Sequence, residues 1–247
     1  MGNNWIRPRH WWARLKFYTR VNWVRTLYFN FRMFPFSEAR RLPVYFYGSV
    51  RFGSLQGSVK IDAPLRRGMI GFGQPYEILG RSRGTAMLHL EGRLEFGGAV
   101  QFGKDYFVYI ASGAKCRMGH MSSLGHSGKL ICYEEIIFGE FARIGFESQV
   151  MDSTFHQMID TRTMEKLPMT RPVQIGSYNY FGNRISVMPA TLTPDRCTVA
   201  SNSVCNKDYR PWGNNILIGG VPAKLLRENI SRDWEGESAD LERWLTV

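Results

Sequence analysis

Large apolar residues recur at every sixth position over much of this 247-residue chain. The first row comprises Leu90, Phe96, Phe102, Val108, Ala114, His120, His126, Cys132, Phe138, Ile144, Val150 and His156. After a break over residues 157–172, the row resumes one residue out of phase at Ile175, Phe181, Val187, Thr193, Val199 and Cys205. Fourteen of these eighteen positions are apolar, whereas the overall apolar content of 44% would give about eight.

A period of six fits neither the 3.6-residue repeat of an amphipathic helix nor the alternation of a single strand. It is typical of a solenoid of short strands, in which each side points one residue into a continuous core. Glycine often follows the inward residue, as at Gly97, Gly139 and Gly182, which suits tight corners. We therefore predict an all-β fold, a parallel β-helix whose stacked strands bury the apolar row.

The flanking segments predict how the solenoid begins and ends. Residues 44–89 alternate apolar and polar positions in places, which indicates irregular strands that lead into a β-helix at residues 90–215. The segment VPAKLLRENI contains Pro222 followed by helical apolar spacing, so we predict a C-terminal capping helix within residues 216–247. A solenoid needs such a cap because its terminal coil would otherwise leave core surface exposed.

Residues 1–43 form a basic, aromatic arm that we predict to be helical after Pro8. Residues 1–41 hold nine Lys or Arg and one Glu, so eight of the eleven net positive charges lie there. The rest of the chain is nearly balanced, which argues against a nucleic-acid partner. The arm is expected to pack on the solenoid or a neighbouring subunit, to lie at an anionic membrane surface through residues 1–37, or to do both.

Cysteine usage and hydropathy indicate the compartment. The four cysteines form no CxxC pair, so we predict reduced, buried thiols with no disulfide and no metal site. No apolar run approaches the roughly 20 residues of a membrane span, and the N-terminus lacks the pattern of a signal peptide. We expect a cytoplasmic protein, with the arm able to contact the inner face of the membrane.

Three stretches resemble the hexapeptide-repeat acyltransferases, particularly those that O-acetylate sugars of capsules and exopolysaccharides. They are the D-x-x-F-H segment in VMDSTFHQMID, the run IGSYNYFGNRISVMPATLTPDRCTVASNSVCNKDY, and the closing IGGVPAKLLR. The resemblance covers about residues 90–228. It implies an acyltransferase with a left-handed parallel β-helix, an exception to the right-handed crossover rule. It also implies a homotrimer with acetyl-CoA in the clefts between subunits.

The same resemblance implies the site residues. His156 matches the catalytic base, and a neutral imidazole, with an ordinary pKa of about 6.5, can accept a proton near pH 7. Asp152 and Asp160 are the nearby carboxylates that we consider for orienting its ring. The matched residues along the donor are Asn183, Ser201, Asn206 and Lys207, with Lys224 and Arg227 at the CoA phosphates.

His120 and His126 fall on the six-residue row, and a related β-helix class binds zinc through histidines between subunits. That class needs a His-x4-His pair, whereas five residues separate His120 from His126, so a structural or acceptor-site role is favoured. We therefore predict an acetyl-CoA-dependent O-acetyltransferase that acts on a saccharide, either free or lipid-linked. The alternatives are N-acetylation of an amino sugar and a non-catalytic scaffold.

Overall fold

The computed structural model describes residues 18–74, 82–238 and 241. Its strands form three sheets, which are the three faces of a prism around one core. The first face contains β1 (Val44–Phe46), β4 (Ile70–Phe72), β7 (Val100–Phe102), β10 (Ser123–Leu124), β13 (Arg143–Ile144), β16 (Tyr180–Phe181), β18 (Thr198–Val199), β20 (Leu217–Gly220) and β21 (Ala223–Arg227).

The other two faces have seven and five strands. The second face contains β2 (Arg51–Leu55), β5 (Met87–Leu90), β8 (Phe107–Ile110), β11 (Lys129–Cys132), β14 (Gln149–Met151), β17 (Ser186–Val187) and β19 (Val204–Cys205). The third face contains β3 (Ser58–Ile61), β6 (Arg93–Phe96), β9 (Lys115–Met118), β12 (Glu135–Phe138) and β15 (Val173–Ile175). Single parallel bridges from Gln174 to Leu192 and from Leu192 to Asp208 extend the third face.

Successive coils stack as parallel strands, for which a spacing of about 4.8 Å is usual. Parallel pairing already begins at β1 with β4, so residues 44–61 form a complete first coil of the prism. The predicted all-β parallel β-helix is therefore confirmed. Its three sheets of short strands agree with the left-handed form that the resemblance implies.

The row of inward residues after the break is confirmed. All six of its members are buried, with relative exposures of 0–4%; they are Ile175, Phe181, Val187, Thr193, Val199 and Cys205. We call the turn from the first to the second face the first corner, and the turns that follow the second and third corners. At the first corner one residue per coil has a positive φ of 54–60°; these residues are Asp105, Ser127, Glu147, Arg184 and Asn202.

The inward position expected for His120 and His126 from the six-residue row was wrong, because neither side chain lies in the core. The inward residues in this region are Met118 and Leu124, and each histidine stands two positions later, in a corner. The turn at residues 111–114 lengthens this coil, so that Cys132 lies beside Ile110, twenty-two residues earlier. Counting in steps of six therefore reaches corner residues here instead of inward-facing ones.

The N-terminal arm packs on the prism in its described part. Helix α1 (Trp23–Met33) covers the free edge of β1, and α2 (Phe36–Ala39) follows it. Asn30 donates to Val44 O at 2.7 Å and accepts from Val44 N at 3.2 Å, while Thr26 Oγ1 accepts from Phe46 N at 3.0 Å. Both side chains are fully buried, so polar groups of α1 satisfy an edge that would otherwise be unpaired. Residues 1–17 of the predicted arm lie outside the described residues.

The predicted capping helix at VPAKLLRENI was wrong. Residues 223–227 are β21, which pairs antiparallel with β20. The free edge of β20 offers backbone donors and acceptors, and satisfying them outweighs the helical spacing of the apolar residues. Beyond β21, Trp234 and Leu241 pack with Met121 against the third corner, with Phe141 and Tyr178 alongside. Residues 239–240 and 242–247 of the predicted cap lie outside the described residues.

The four cysteines are buried and unpaired, as predicted; they are Cys116, Cys132, Cys197 and Cys205. Burial raises the pKa of each thiol, to about 12 for Cys205, so all four are neutral at ordinary pH. In the ranges that the structure covers, no helix combines the length and the apolar character that a bilayer-spanning segment requires.

Candidate active site

His156 lies on a loop that leaves the second corner between β14 and β15. The loop begins at Asp152, so it includes His156 rather than starting after it as predicted. The Asp152 carboxylate is fully buried and accepts hydrogen bonds from the N–H groups of Tyr133 and Glu134, each at 2.8 Å. Two charge-assisted bonds therefore fix the base of the loop to the preceding coil.

The loop itself is a narrow antiparallel excursion. Bridges join Ser153 to Thr170 and Ile159 to Lys166 across it. Thr154 Oγ1 donates to the His156 carbonyl at 3.1 Å, which holds the backbone, while the His156 residue is exposed. The His156 imidazole therefore lies at the surface, while hydrogen bonds between the two sides of the loop hold its backbone in place.

Neither candidate carboxylate orients the His156 ring in this structure. Asp152 is occupied by the two backbone N–H groups at the base of the loop. Asp160 Oδ1 accepts from the N–H groups of Arg162 and Thr163, at 2.8 and 3.3 Å, and so stabilises the turn of the loop. The orienting role considered for these residues is therefore replaced by a structural role in shaping the loop.

Asn183 and Ser201 lie one above the other at the first corner. Ser201 Oγ accepts the Asn183 N–H at 3.0 Å, and Asn183 Oδ1 accepts the Phe146 N–H at 3.2 Å. These bonds use the acceptor atoms of both side chains and leave donor hydrogens for a ligand, as far as the described residues go. A Cβ at Gly182 would lie 2.6 Å from Ser201 Oγ, so glycine is needed for this close stacking.

The cationic residues predicted at the phosphates lie on β21. Lys224 is paired with Gly219 and Arg227 with Leu217, and both side chains are exposed. The coil that contains Gly219 follows the coil that contains Ser201. Lys224 therefore extends the line of Asn183 and Ser201 toward the C-terminal end of the prism.

Asn206 and Lys207 lie at a different corner. They follow β19 on the second face, which places them at the second corner, on the side of the prism from which the His156 loop departs. The Asn206 N–H donates to Tyr209 Oη at 3.2 Å, and Lys207 Nζ stands 4.5 Å from the Trp212 ring centre. One protomer therefore does not bring together all the residues that the resemblance assigns to the donor.

A cavity of about 350 Å³ borders Asn183 on the first face. Its lining includes Arg143, which is buried, and Tyr180, whose ring lies 5.1 Å from the Arg232 guanidinium. Arg232 also pairs with Glu237 and stacks 4.8 Å from the Trp234 ring centre. The sequence did not predict these residues, because Arg143 and Tyr180 occupy outward positions that the repeat leaves unrestricted, and Arg232 lies beyond the repeat.

The comparisons with known proteins concern the fold. No family model matches the sequence. One similar solved structure is the polySia-specific acetyltransferase NeuO, with 14% identity, a TM-score of 0.49, and coverage of 81% of this chain and 96% of that one. Another is the polysialic acid O-acetyltransferase OatWY, with 15% identity, a TM-score of 0.43, and coverage of 75% and 87%. A third is a mutant of AntD, an N-acyltransferase from Bacillus cereus in complex with dTDP and coenzyme A. It has 16% identity, a TM-score of 0.45, and coverage of 79% of this chain and 91% of that one.

Proposed function

We propose that this chain is an acetyl-CoA-dependent O-acetyltransferase that acts on a sugar hydroxyl of a capsular or exopolysaccharide intermediate. The observation that carries the proposal is the exposed His156 imidazole on a loop whose base is fixed by the buried Asp152 carboxylate. The stacked polar side chains of Asn183 and Ser201 support a donor site, because the resemblance places both residues along CoA.

His156 acts as the general base in this proposal. Its neutral ring accepts the hydroxyl proton while the sugar oxygen attacks the thioester carbonyl carbon. The new C–O bond creates a tetrahedral oxyanion, which then collapses with cleavage of the C–S bond. The imidazolium returns its proton to the departing thiolate, so the products are an acetyl ester and CoA thiol, and His156 is neutral again.

The positions of the two halves of the proposed site support a homotrimer. His156 leaves the second corner, whereas Asn183 and Ser201 lie at the first corner. The face between these corners is about five residues wide, which at about 3.3 Å per residue separates them by roughly 17 Å. A ring of three copies would set the second corner of one against the first corner of the next and complete three equal sites.

The charged residues divide between the two copies at such a site. Lys224 and Arg227 on β21 would bind the 3′-phosphate and pyrophosphate of CoA at the first-corner end. Asn206 and Lys207 would approach the same donor from the second corner of the neighbouring copy. Lys207 is held over the Trp212 ring, so little freedom is lost when its ammonium group meets a phosphate.

The test compares His156→Ala with Met158→Ala, a control at an exposed residue of the same loop. Release of CoA thiol from acetyl-CoA is measured with a saccharide extract of the source cells. We expect His156→Ala to lower kcat by about 10²–10⁴-fold, the usual contribution of a general base, with CoA affinity unchanged. Near-wild-type turnover by a correctly assembled His156→Ala protein would remove the residue from this role.

The same assay distinguishes the alternatives. An acetyl group that alkali releases from the product identifies an ester, whereas an alkali-stable product identifies N-acetylation of an amino sugar. A wild-type protein that binds no CoA would be a scaffold rather than an enzyme.

We further propose that residues 1–37 hold the protein at the inner face of the membrane, where a lipid-linked acceptor would lie. The outward side of α1 is apolar, with relative exposures of 77% for Val24, 53% for Tyr28 and 48% for Phe31. Phe36 is 71% exposed beside it. Arg25 and Arg32 are exposed along one flank of the same helix. Aromatic rings at headgroup depth and arginines on phosphate suit an anionic lipid surface.

The membrane proposal is tested with a Tyr28→Ser/Phe31→Ser/Phe36→Ser variant. Deletion of the arm is unsuitable, because it would remove Asn30 and Thr26 from the edge of β1. Sedimentation with vesicles that contain phosphatidylserine should fall several-fold for this variant, since each lost ring removes apolar contact. Leu226→Ser, at an exposed apolar residue on β21, should sediment like the wild type. Equal sedimentation of all three proteins would contradict the membrane role.

A further inference from the structure

His120 and His126 occupy the same place in two successive hexads but have different surroundings. Each follows an inward residue and a glycine. His120 lies at the third corner, where its Nδ1 accepts the Ala99 N–H at 3.1 Å. Its ring also meets the Phe141 ring edge-on, with 5.9 Å between the centres. His120 is therefore accounted for by the fold.

His126 lies at the first corner and is not accounted for in this way. Its carbonyl accepts the Glu147 N–H at 2.7 Å, but its Nδ1 is buried and makes no hydrogen bond within the described part of the chain. The residue as a whole is only half-buried, so the Nε2 edge is the part of the ring that a ligand can reach. Among the described residues, no hydrogen bond to Nδ1 explains why an imidazole occupies this position.

A fixed carboxylate lies near this ring. Asp105 accepts hydrogen bonds from Arg83 N at 2.7 Å, Ser82 Oγ at 2.8 Å and Thr85 N at 3.2 Å. Burial alone would raise the pKa of Asp105, but these bonds and the nearby His126 ring together hold it below its ordinary value. The hydrogen bonds therefore hold the Asp105 carboxylate in a fixed position near the His126 ring.

His126 also lies in line with the proposed donor. The inward residues Leu124, Ile144, Phe181 and Val199 stack in register on the first face, and His126, Phe146, Asn183 and Ser201 each follow by two positions. Lys224 lies on β21, five strands beyond β10 on the first face, or about 24 Å along the axis at about 4.8 Å per strand. A pantetheine arm is comparable to about five extended residues, or about 17 Å, and the four-carbon stem of Lys224 spans much of the remaining distance. With the phosphates at Lys224, the thioester would therefore end beside His126.

We propose that the His126 ring donates a hydrogen bond from Nε2 to the thioester carbonyl oxygen of the bound acyl donor. The bond would strengthen as that oxygen becomes an oxyanion, so His126 contributes to catalysis and not only to binding. This inference rests on the proposed function, since it takes the donor to lie along the first corner.

The experiment compares His126→Leu and His126→Gln with His120→Leu, the control at the matched position. The readouts are binding of CoA and of acetyl-CoA, release of CoA thiol from acetyl-CoA, and the thermal midpoint of each protein. We expect His126→Leu to slow thiol release by about 10²-fold, as when an oxyanion donor is removed, with the affinity for CoA unchanged. His126→Gln, which keeps a donor group, should recover part of the rate.

His120→Leu should lower the thermal midpoint, because the Ala99 N–H loses its partner, while the rate per folded molecule stays at the wild-type value. A His126→Leu protein that is folded and releases thiol at the wild-type rate would overturn the inference, as would an equal loss of affinity for CoA and acetyl-CoA. A wild-type protein that binds neither compound would instead overturn the proposed function, so the two failures are distinguishable.

Discussion

The first coils of the prism and the last ones are built to different lengths. On the first coils Ile110 lies beside Leu90, twenty residues earlier in the chain. On the last coils Val199 lies beside Phe181, which is only eighteen residues earlier, or three sides of six. The strands pair in parallel in both regions, but β5, β6 and β8 have four residues each, whereas β16, β17 and β18 have two. The extra residues of the first coils therefore lie within the faces.

The two regions also differ in how the core is filled. In the first coils aromatic rings stack along the axis, with 4.2 Å between the centres of Phe72 and Phe102 and 5.0 Å between those of Phe46 and Phe72. The last coils are filled by smaller side chains such as Val187 and Cys205. The regular coils therefore form a uniform corner, along which we place the donor, whereas the proposed catalytic residues lie where the chain departs from regularity. The largest departure is the loop that carries His156.

The largest expected difference between the two regions is in stability. Phe102→Ala should cost about 4 kcal/mol of unfolding free energy, because a fully buried ring leaves a cavity beside Phe72. Val199→Ala, in the last coils, should cost about 2 kcal/mol, because less apolar surface is lost. Urea unfolding of both variants measures the two losses. Equal losses would contradict the view that the aromatic core dominates the stability of the prism.

The sequence predicted the fold well where the chain keeps its period. Residues 175–205 obey a strict count of six, and every residue of that row is buried. The count failed at His120 because the turn at residues 111–114 lengthens its coil. Each longer strand buries two residues, such as Cys116 and Met118. The row of buried apolar residues therefore continues, but counting in steps of six no longer reaches its members. Periodicity alone could not reveal that change of phase.

The resemblance names candidate site residues one by one, but it does not give their arrangement in space. The resemblance selected both His156 and Asn183, yet they lie at different corners of one protomer. The assignment of Lys224 to a helix failed because apolar spacing does not report the free edge of β20, which is a tertiary feature. The repeat did not predict Tyr180 as a cavity residue, since an outward position next to an inward one accepts any side chain.

A smaller effect is expected from glycines at the corners of the two regions. Gly182→Ala places a Cβ 2.6 Å from Ser201 Oγ and 2.9 Å from Ser201 N, so the last coils must shift, at a cost of about 2 kcal/mol. A Cβ at Gly113 would meet no atom within 4 Å, so Gly113→Ala is strained only by the φ of +78°. We expect this strain to lower the free energy of unfolding by about 1 kcal/mol. Thermal unfolding and CoA affinity are measured for both. Only Gly182→Ala should weaken CoA binding, and a matching loss in Gly113→Ala would refute the first-corner donor site.

The smallest effect concerns two aspartates, one in each region. Asp105 is bonded to three groups in the first coils, whereas Asp208 in the last coils is exposed and is held chiefly by Arg210, whose bonds lower the pKa of the Asp208 carboxyl. Asp105→Asn should lower the free energy of unfolding by about 1 kcal/mol at pH 7, because the amide cannot accept all these hydrogen bonds. Asp208→Asn should lower it by less than about 0.5 kcal/mol.

The sign of the pH dependence follows from the lowered pKa of Asp105. Its contribution to stability is present above the ordinary carboxyl pKa of about 4 and is lost as the pH falls through the lower folded value. Urea unfolding of the wild type and Asp105→Asn from pH 7 down to pH 3 should therefore show a difference that shrinks in the acid range. A difference that stays constant or grows on acidification would mean that the three hydrogen bonds do not favour the ionised carboxylate. It would then contradict the assignment of a fixed, ionised Asp105 near His126.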